Sequence, residues 1–429
     1  MDIEVNYRNK KRYNTAKYPM HQGIFWTWLI RALSGFVLAG KEHKVEKIGM
    51  EGLKPPYMVL SNHMHFIDFE LAAKATWPHS VSNVVNIDGY VGKAFLMEWI
   101  GCIATRKFTT DVHLVKSIRK VLQRGDVLTM YPEARYTPCG TTSFLPDSIG
   151  KLIRMNKVPV VAVVHRGNHL YAPFWDVRHK RKVPLHTTAK LILTPDQIKD
   201  MTVDEINAKL REELDYDEYR YQKENGILIK DSFRAEGMHH VLYQCPHCKT
   251  EFRMGSEGSQ LFCTACGKRW NWNEDGYLQA LEGETEFDHI PDWFEWERQQ
   301  VKAEIERGEY SFSDEVEVYS QPRCWRYIPL GKARLTHDAE NGFILEGKYR
   351  RKKYYIQRQP VQHNSLHVEY GFPPLKRREC LDISTENDSF YCCPTKKLVL
   401  TKLAFATEEI YRRGMEALRN GSAKGADKQ

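Results

Sequence analysis

The chain has 429 residues, of which 42% are hydrophobic and 28% charged, with a formal net charge of +8. This balance excludes a disordered chain, and the length exceeds what one ordinary core organises, so two or three domains are expected. The positive excess favours an anionic partner, a condition that phospholipid head groups, nucleic acid and acidic carrier proteins all satisfy.

The first residues, Met1-Asp2-Ile3-Glu4-Val5, lack the charged-then-apolar order of a secretory signal, so a cytoplasmic protein is expected. The stretch from Gly23 to Gly40 is apolar but barely long enough to span a bilayer, and Arg31 sits in its middle. On a helix, Thr27, Arg31 and Ser34 form a polar stripe, and Phe25, Trp28, Leu29, Ala32 and Phe36 take the remaining side. With Lys10, Lys11, Arg12 and Lys17 ahead of it, residues 1–40 read as an amphipathic segment lying on anionic lipid at the inner face of the membrane. A surface helix packed on the protein's own core is the competing reading.

From residue 41 to 230, short β-rich runs alternate with helical ones. Tyr57–Leu60, Val84–Ile87, Asp126–Tyr131, Val158–Val164 and Leu191–Leu193 read as buried strands, with helices such as Thr110–Gln123 between them. The alternation predicts an α/β domain, a mostly parallel sheet covered on both faces. Thr202-Val203-Asp204-Glu205 predicts a capping box that opens the helix closing this domain.

The strand at Tyr57–Leu60 runs into Ser61-Asn62-His63-Met64-His65-Phe66-Ile67-Asp68. A carboxylate about one turn after a histidine can accept from one ring nitrogen, fix the tautomer and leave the other nitrogen free as a general base. His63 and Asp68 would then be the orienting half of a triad without a protein nucleophile, the substrate's own hydroxyl attacking. A structural pair, or a metal site with His65, are the alternatives at this point.

Three further blocks follow: Gly92–Gly101 leading into Cys102-Ile103-Ala104-Thr105-Arg106-Lys107, then Tyr131-Pro132-Glu133-Ala134-Arg135-Tyr136, then Val158-Pro159-Val160-Val161-Ala162-Val163. Over residues 40–195 the sequence resembles the phospholipid and glycerol acyltransferase superfamily, lysophosphatidic acid acyltransferase being its best-known member. An Asn-His-x4-Asp block, an arginine-ending block, a Phe-Pro-Glu-Gly-Thr-Arg block and an apolar Val-Pro-Ile block occur there in the same order. The resemblance implies that His63, held by Asp68, deprotonates the acceptor hydroxyl of a lysophospholipid. It implies that Arg106 binds the acceptor phosphate and that Glu133 and Arg135 shape the pocket. The acyl donor would be an acyl-carrier-protein or coenzyme A thioester, with no redox cofactor. Backbone amides after His63 would serve a tetrahedral oxyanion. One departure stands out: the arginine of the third block arrives one residue early, as Arg135, and Tyr136 occupies its place.

Of the ten cysteines, Cys245, Cys248, Cys263 and Cys266 form two Cys-x2-Cys knuckles separated by fourteen residues, the pattern of a zinc ribbon at 240–275. Zinc is the expected structural metal and iron the minor alternative. The other six cysteines are expected as free thiols of a reducing compartment. Beyond a linker helix at Trp293–Glu309, residues 310–420 carry seven short β runs and a final helix, an element order that resembles the pleckstrin-homology-like fold. Basic runs at Arg178–Lys182, Lys348–Lys353 and Lys376-Arg377-Arg378 leave a nucleic-acid-binding protein as the alternative, set aside because lipid head groups satisfy the same patches. A lipid hydrolase using the same His–Asp pair on water is the third reading, and no Gly-x-Ser-x-Gly elbow supports a serine hydrolase.

Overall fold

Alternation within the strands decides the architecture. In the computed structural model, which describes residues 2–7, 12–109, 111–375 and 378–426 with side chains through 420, β2 (Tyr57–Ser61) is buried at every position. Its Met58 and Leu60 join one core and its Tyr57 and Val59 another, so the strand is covered on both faces. Lys10, Lys11, Thr110, Lys376 and Arg377, named in the expectations above, lie outside the described residues.

The sheet around β2 contains β1 (His43–Ile48), β3 (Val81–Asn86), β4 (Ile103–Thr105), β5 (Val127–Met130), β6 (Val160–Arg166) and β7 (Leu185–Leu193), in the order β1-β7-β6-β2-β5-β3-β4. From β6 to β4 the strands are parallel. Beyond β6, β7 is antiparallel to its neighbour and β1 follows β7 in parallel. The helices of this region are α1 (Ile24–Leu38), α2 (Asp68–Thr76), α3 (Ala94–Trp99), α4 (Val112–Gln123), α5 (Ser148–Asn156), α6 (Asn168–Tyr171), α7 (Pro195–Asp200), α8 (Val203–Leu214) and α9 (Glu218–Glu224). Residues of α4, α5 and α8 pack on one face of the sheet, and Ala75 of α2 on the other. The capping box at α8 forms as expected, the Thr202 side chain accepting from Glu205 N and the Glu205 carboxylate from Thr202 N.

Next comes an antiparallel sheet of β8 (Met254–Glu257), β9 (Gln260–Cys263), β10 (Arg269–Trp272) and β11 (Leu278–Ala280), then α10 (Ile290–Glu306). The third sheet is built from β12 (Ser311–Ser320), β13 (Ile328–Asp338), β14 (Gly342–Tyr349), β15 (Lys352–Arg358), β16 (His367–Glu369), β17 (Cys380–Ser384) and β18 (Ser389–Pro394). All its pairings are antiparallel, in the order β15-β14-β13-β12-β18-β17-β16, and α11 (Leu400–Ala426) follows. A single apolar cluster runs from Leu71 and Trp175 through Trp270 and Trp293 to Leu345 and Phe405. The third sheet and the four-stranded one therefore share core with the α/β region.

Two features mark the first forty residues. Ile3 pairs with Tyr355 of β15, and the Tyr7 hydroxyl bonds to Ser320 and Asp388, so the segment ahead of α1 runs along the third sheet. On α1 the polar stripe faces inward, with Thr27 and Ser34 buried, while Ile24, Phe25, Trp28, Leu33 and Phe36 are exposed. The helix is inside-out for a solvated surface helix. Among the described residues, no helix is long and apolar enough to cross a membrane.

Candidate active site

Parallel strands release their carboxyl ends along one edge of the sheet, where helix starts and loops leave room for chemistry. His63 follows β2 there, Arg106 follows β4, Tyr131 and Glu133 follow β5, and Asn168 follows β6. Asp68, the first residue of α2, is fully buried and accepts from four donors. Its Oδ2 receives His63 Nδ1 at 3.0 Å, Met64 N at 2.7 Å and His65 N at 3.0 Å; its Oδ1 receives Asn168 Nδ2 at 2.6 Å. Burial alone would raise the Asp68 carboxyl, but nearby His165 and the bonds from His63 and Asn168 outweigh it and hold it below its ordinary range. Burial likewise lowers His63, with Asp68 partly offsetting and the charges of Lys107 and His367 adding to the depression. The imidazole is thus neutral at physiological pH. Among the described residues no group hydrogen-bonds its Nε2.

The ring is held between two tyrosines. Tyr131 stacks on it at 3.8 Å between centroids and 17°, and Tyr136 lies on it at 4.2 Å and 39°. Glu133 fixes the backbone beneath: one carboxylate oxygen accepts from His63 N at 3.2 Å and the other from Ser143 N at 2.9 Å. Burial pushes the Glu133 carboxyl up to about 7 in spite of those donors. The shifted arginine is explained by Ala134, which adopts a left-handed φ of 56°. The chain turns as a glycine would allow, Tyr136 swings onto His63, and Arg135 leaves on the other side. Three of the backbone amides after His63 are also otherwise occupied: Met64 N and His65 N point to Asp68, and Ile67 N to His65 Nδ1. These amides are not free for the oxyanion role expected of them.

Of the two arginines expected in the substrate pocket, Arg106 is tied up by the third sheet, whereas Arg135 lines the cleft beside Tyr136 while paired to Glu408. Arg106 is buried, its Nη1 donating to Gln321 O at 3.2 Å and Ser389 Oγ at 2.9 Å. Arg135 is buried against Glu408 at 2.6 Å and donates to Leu366 O at 3.3 Å. Both guanidiniums fasten the third sheet and α11 to the carboxyl edge of the first. Glu408 also receives Arg298 and, at 2.8 Å, Ser365 Oγ. Burial would raise its carboxyl, but Arg135 and then Arg298 outweigh that and lower it. Glu408→Ala leaves buried Arg135 without its ion-pair partner and Arg298 with only Glu295, and is expected to cost about 3–5 kcal/mol in chemical denaturation at neutral pH. Because the folded value of Glu408 is depressed, its contribution is present above the unfolded carboxylate range and lost as pH falls through the folded one. The gap between wild type and variant should therefore narrow in acid.

Several of these partners carry no direct signal in the sequence. Asn168 emerges as an orienting residue, and its only hint is its position just after a strand end. Tyr131 and Tyr136 as ring supports, and Glu133 as a backbone clamp, have none. A small cleft opens beside Tyr136, lined by Arg135, Phe174, His367, Tyr370, Phe294 and Phe405 among others.

The four paired cysteines converge. Cys245 and Cys266 sulfurs lie 3.8 Å apart, as do those of Cys248 and Cys263. A tetrahedral metal with sulfurs at about 2.3 Å has edges of about 3.8 Å, so the set fits a closed four-thiolate site. All ten cysteines are free of disulfides.

No family model matches the chain, and no curated protein matches it. Among solved structures, one that it resembles is the 1-acyl-sn-glycerophosphate (LPA) acyltransferase PlsC from Thermotoga maritima. The two are 13% identical, with a TM-score of 0.34 over 44% of this chain and 78% of that one. The case for an activity rests on the site itself.

Proposed function

We propose that this chain is a glycerolipid acyltransferase that works on a membrane surface and moves a fatty acyl group from a thioester to the hydroxyl of a lysophospholipid. The observation that carries the reading is the neutral His63, oriented by a four-times-bonded Asp68 at the carboxyl edge of a parallel sheet, with no group among the described residues, nucleophile or other, bonded to its Nε2. His63 Nε2 takes the hydroxyl proton as the oxygen attacks the acyl carbon. The C–S bond then breaks, and the proton passes from His63 to the departing thiolate. Charge on the imidazolium is balanced by Asp68.

Supporting features fall around this pair. Of the cations in the second block, Lys107 is the one whose charge reaches His63, and to it, in place of Arg106, we assign the acceptor phosphate. The outward apolar face of α1, with Phe66, Phe95 and Trp99 also exposed, suits the acyl–headgroup boundary of a bilayer. The four cysteines we assign to structural zinc. The strand order of the third sheet, with β12 joining a four-stranded and a three-stranded part, supports the pleckstrin-homology-like reading of that region.

The test is transfer of a labelled long-chain acyl group to a panel of lyso-lipids on liposomes, from coenzyme A and carrier-protein thioesters, comparing wild type with His63→Ala. Transfer to at least one acceptor, lost in the variant with its melting temperature kept, is the expected result. No transfer to any acceptor, or full activity in the variant, would overturn the assignment.

A further inference from the structure

Near His63, at the seam between the first and third sheets, lies a group of side chains that the acyl-transfer reading does not use. Asp88 leaves the carboxyl end of β3, and His367 and Glu369 come from β16. One ligand atom of each lies within 4.8 Å of the others. His367 Nε2 and Glu369 Oε1 already pair at 2.9 Å, but the Asp88 carboxylate joins them with no partner of its own among the described residues, at a cost unless something positive lies between the two carboxylates. The path from the catalytic ring is short: His63 touches Tyr136, Tyr136 lies 4.7 Å from Phe174, and Phe174 stacks on His367 at 6.1 Å.

A second observation comes from the next strand. Asp382 on β17 is the direct cross-strand partner of His367, which puts the two side chains on the same face of the sheet. Asp382 is 1% exposed, and neither of its carboxylate oxygens has a hydrogen-bond partner; His367, equally buried, has an unpartnered Nδ1. A buried carboxylate with no donor is costly to keep unless a proton or a cation satisfies it. Lys107 is near enough to act on Asp382 but makes no ion pair with it, and it is one positive charge against the three carboxylates of Asp88, Glu369 and Asp382.

We infer that a divalent transition-metal ion binds between Asp88, His367 and Glu369, with Asp382 completing or supporting its coordination. One imidazole with two or three carboxylates is a donor set for manganese, iron or zinc, distinct from the four thiolates of the cysteine site. Ligands from both sheets make the ion a clamp across the seam. Three or four protein ligands leave coordination positions for water or for an anionic group of a substrate. That last role rests on the acyltransferase reading, whereas the site itself does not.

Manganese tests it, because four thiolates take zinc or iron and disfavour this harder ion. The full-length protein, with its cysteine-bound metal retained, is titrated with Mn²⁺ and free ion is followed by electron paramagnetic resonance. One equivalent should bind and raise the melting temperature. Asp88→Asn removes a half-buried side chain that makes no hydrogen bond, so the fold should persist; Glu369→Gln is the companion. Each should weaken Mn²⁺ binding by at least about tenfold and abolish the thermal shift. The inference is overturned if neither Mn²⁺ nor added Zn²⁺ binds beyond the cysteine-site equivalent. It is equally overturned if binding is unchanged in a folded Asp88→Asn. Metal binding without acyl transfer would sink the proposed activity and leave this site standing; acyl transfer without metal binding would do the reverse.

Discussion

Asp68→Asn is expected to lower acyl-transfer turnover by about 10³–10⁴-fold with a smaller change in KM, since the same exchange in a His–carboxylate pair leaves geometry and destroys function. The reason lies in the proton count. Asp68 is surrounded by donors: His63 Nδ1, Met64 N, His65 N and Asn168 Nδ2. An amide can accept with its oxygen only. Its nitrogen would then face either two backbone N–H groups or the Asn168 amide, and if it turns toward His63 it donates to Nδ1 and drives the ring proton to Nε2. A base with its lone pair already protonated cannot take the hydroxyl proton. The pH profile supplies an independent check. With the carboxylate gone, the offset against burial is lost and His63 is lowered further, so the acid limb of the residual activity should move to lower pH. The variant should also lose stability at neutral pH, a loss that shrinks as pH falls through the depressed value of Asp68. Kinetics over a pH range with matched denaturation curves measure both. A fall of less than tenfold in turnover would remove Asp68 from the mechanism.

The parts of this molecule that were legible in the sequence are those written in local pattern. Short β-rich runs announced the strands of the third sheet, and β-branched runs marked the parallel strands of the first. The knuckle spacing announced a four-thiolate site, and the His63–Asp68 spacing placed both groups within one turn of each other. What could not be read was set by contacts distant in sequence. Arg106 meets Ser389 across 283 residues and Arg135 meets Leu366 across 231, and nothing at either end advertises the other. Resemblance to a family pattern pointed both side chains at a substrate, whereas the accessory sheet supplies their partners. Ala134 shows a subtler limit. The shifted arginine is visible in the sequence, but the turn that accommodates it depends on one left-handed φ at Ala134, which no local pattern announces. For α1 the periodicity was right and its direction was not fixed by it. A polar stripe and an apolar stripe can each face inward, and only the packing of Thr27 and Ser34 against the body of the protein settled which did.

Removing metal from the cysteine site is expected to have the largest effect on stability. Four-thiolate zinc in small domains contributes on the order of 10 kcal/mol of apparent binding free energy at neutral pH, which becomes folding free energy when the site is absent from the unfolded chain. The four-stranded sheet around it is short, and its core residues, Leu261, Trp270, Trp272 and Leu278, cluster with α10 rather than forming a core of their own. Trp270 packs edge-on against Trp293 at 5.0 Å, and the Trp293 indole donates to Gln244 O at 3.0 Å, one residue before Cys245. The site thereby anchors α10, whose Arg298 reaches Glu408, which in turn holds Arg135, the residue just before the Tyr136 that lies on the catalytic ring. Loss of the metal should therefore be felt at His63 without touching it. Cys263→Ser, at a buried sulfur, or treatment with a strong chelator should release about one equivalent of metal, lower the melting temperature and reduce acyl transfer in parallel. Elemental analysis of the purified protein distinguishes zinc from iron, and readdition of zinc to the chelated wild type, but not to Cys263→Ser, should restore both properties. If the metal leaves and the melting temperature stays unchanged, the ribbon is not a folding element and the relay from α10 to Arg135 falls with it.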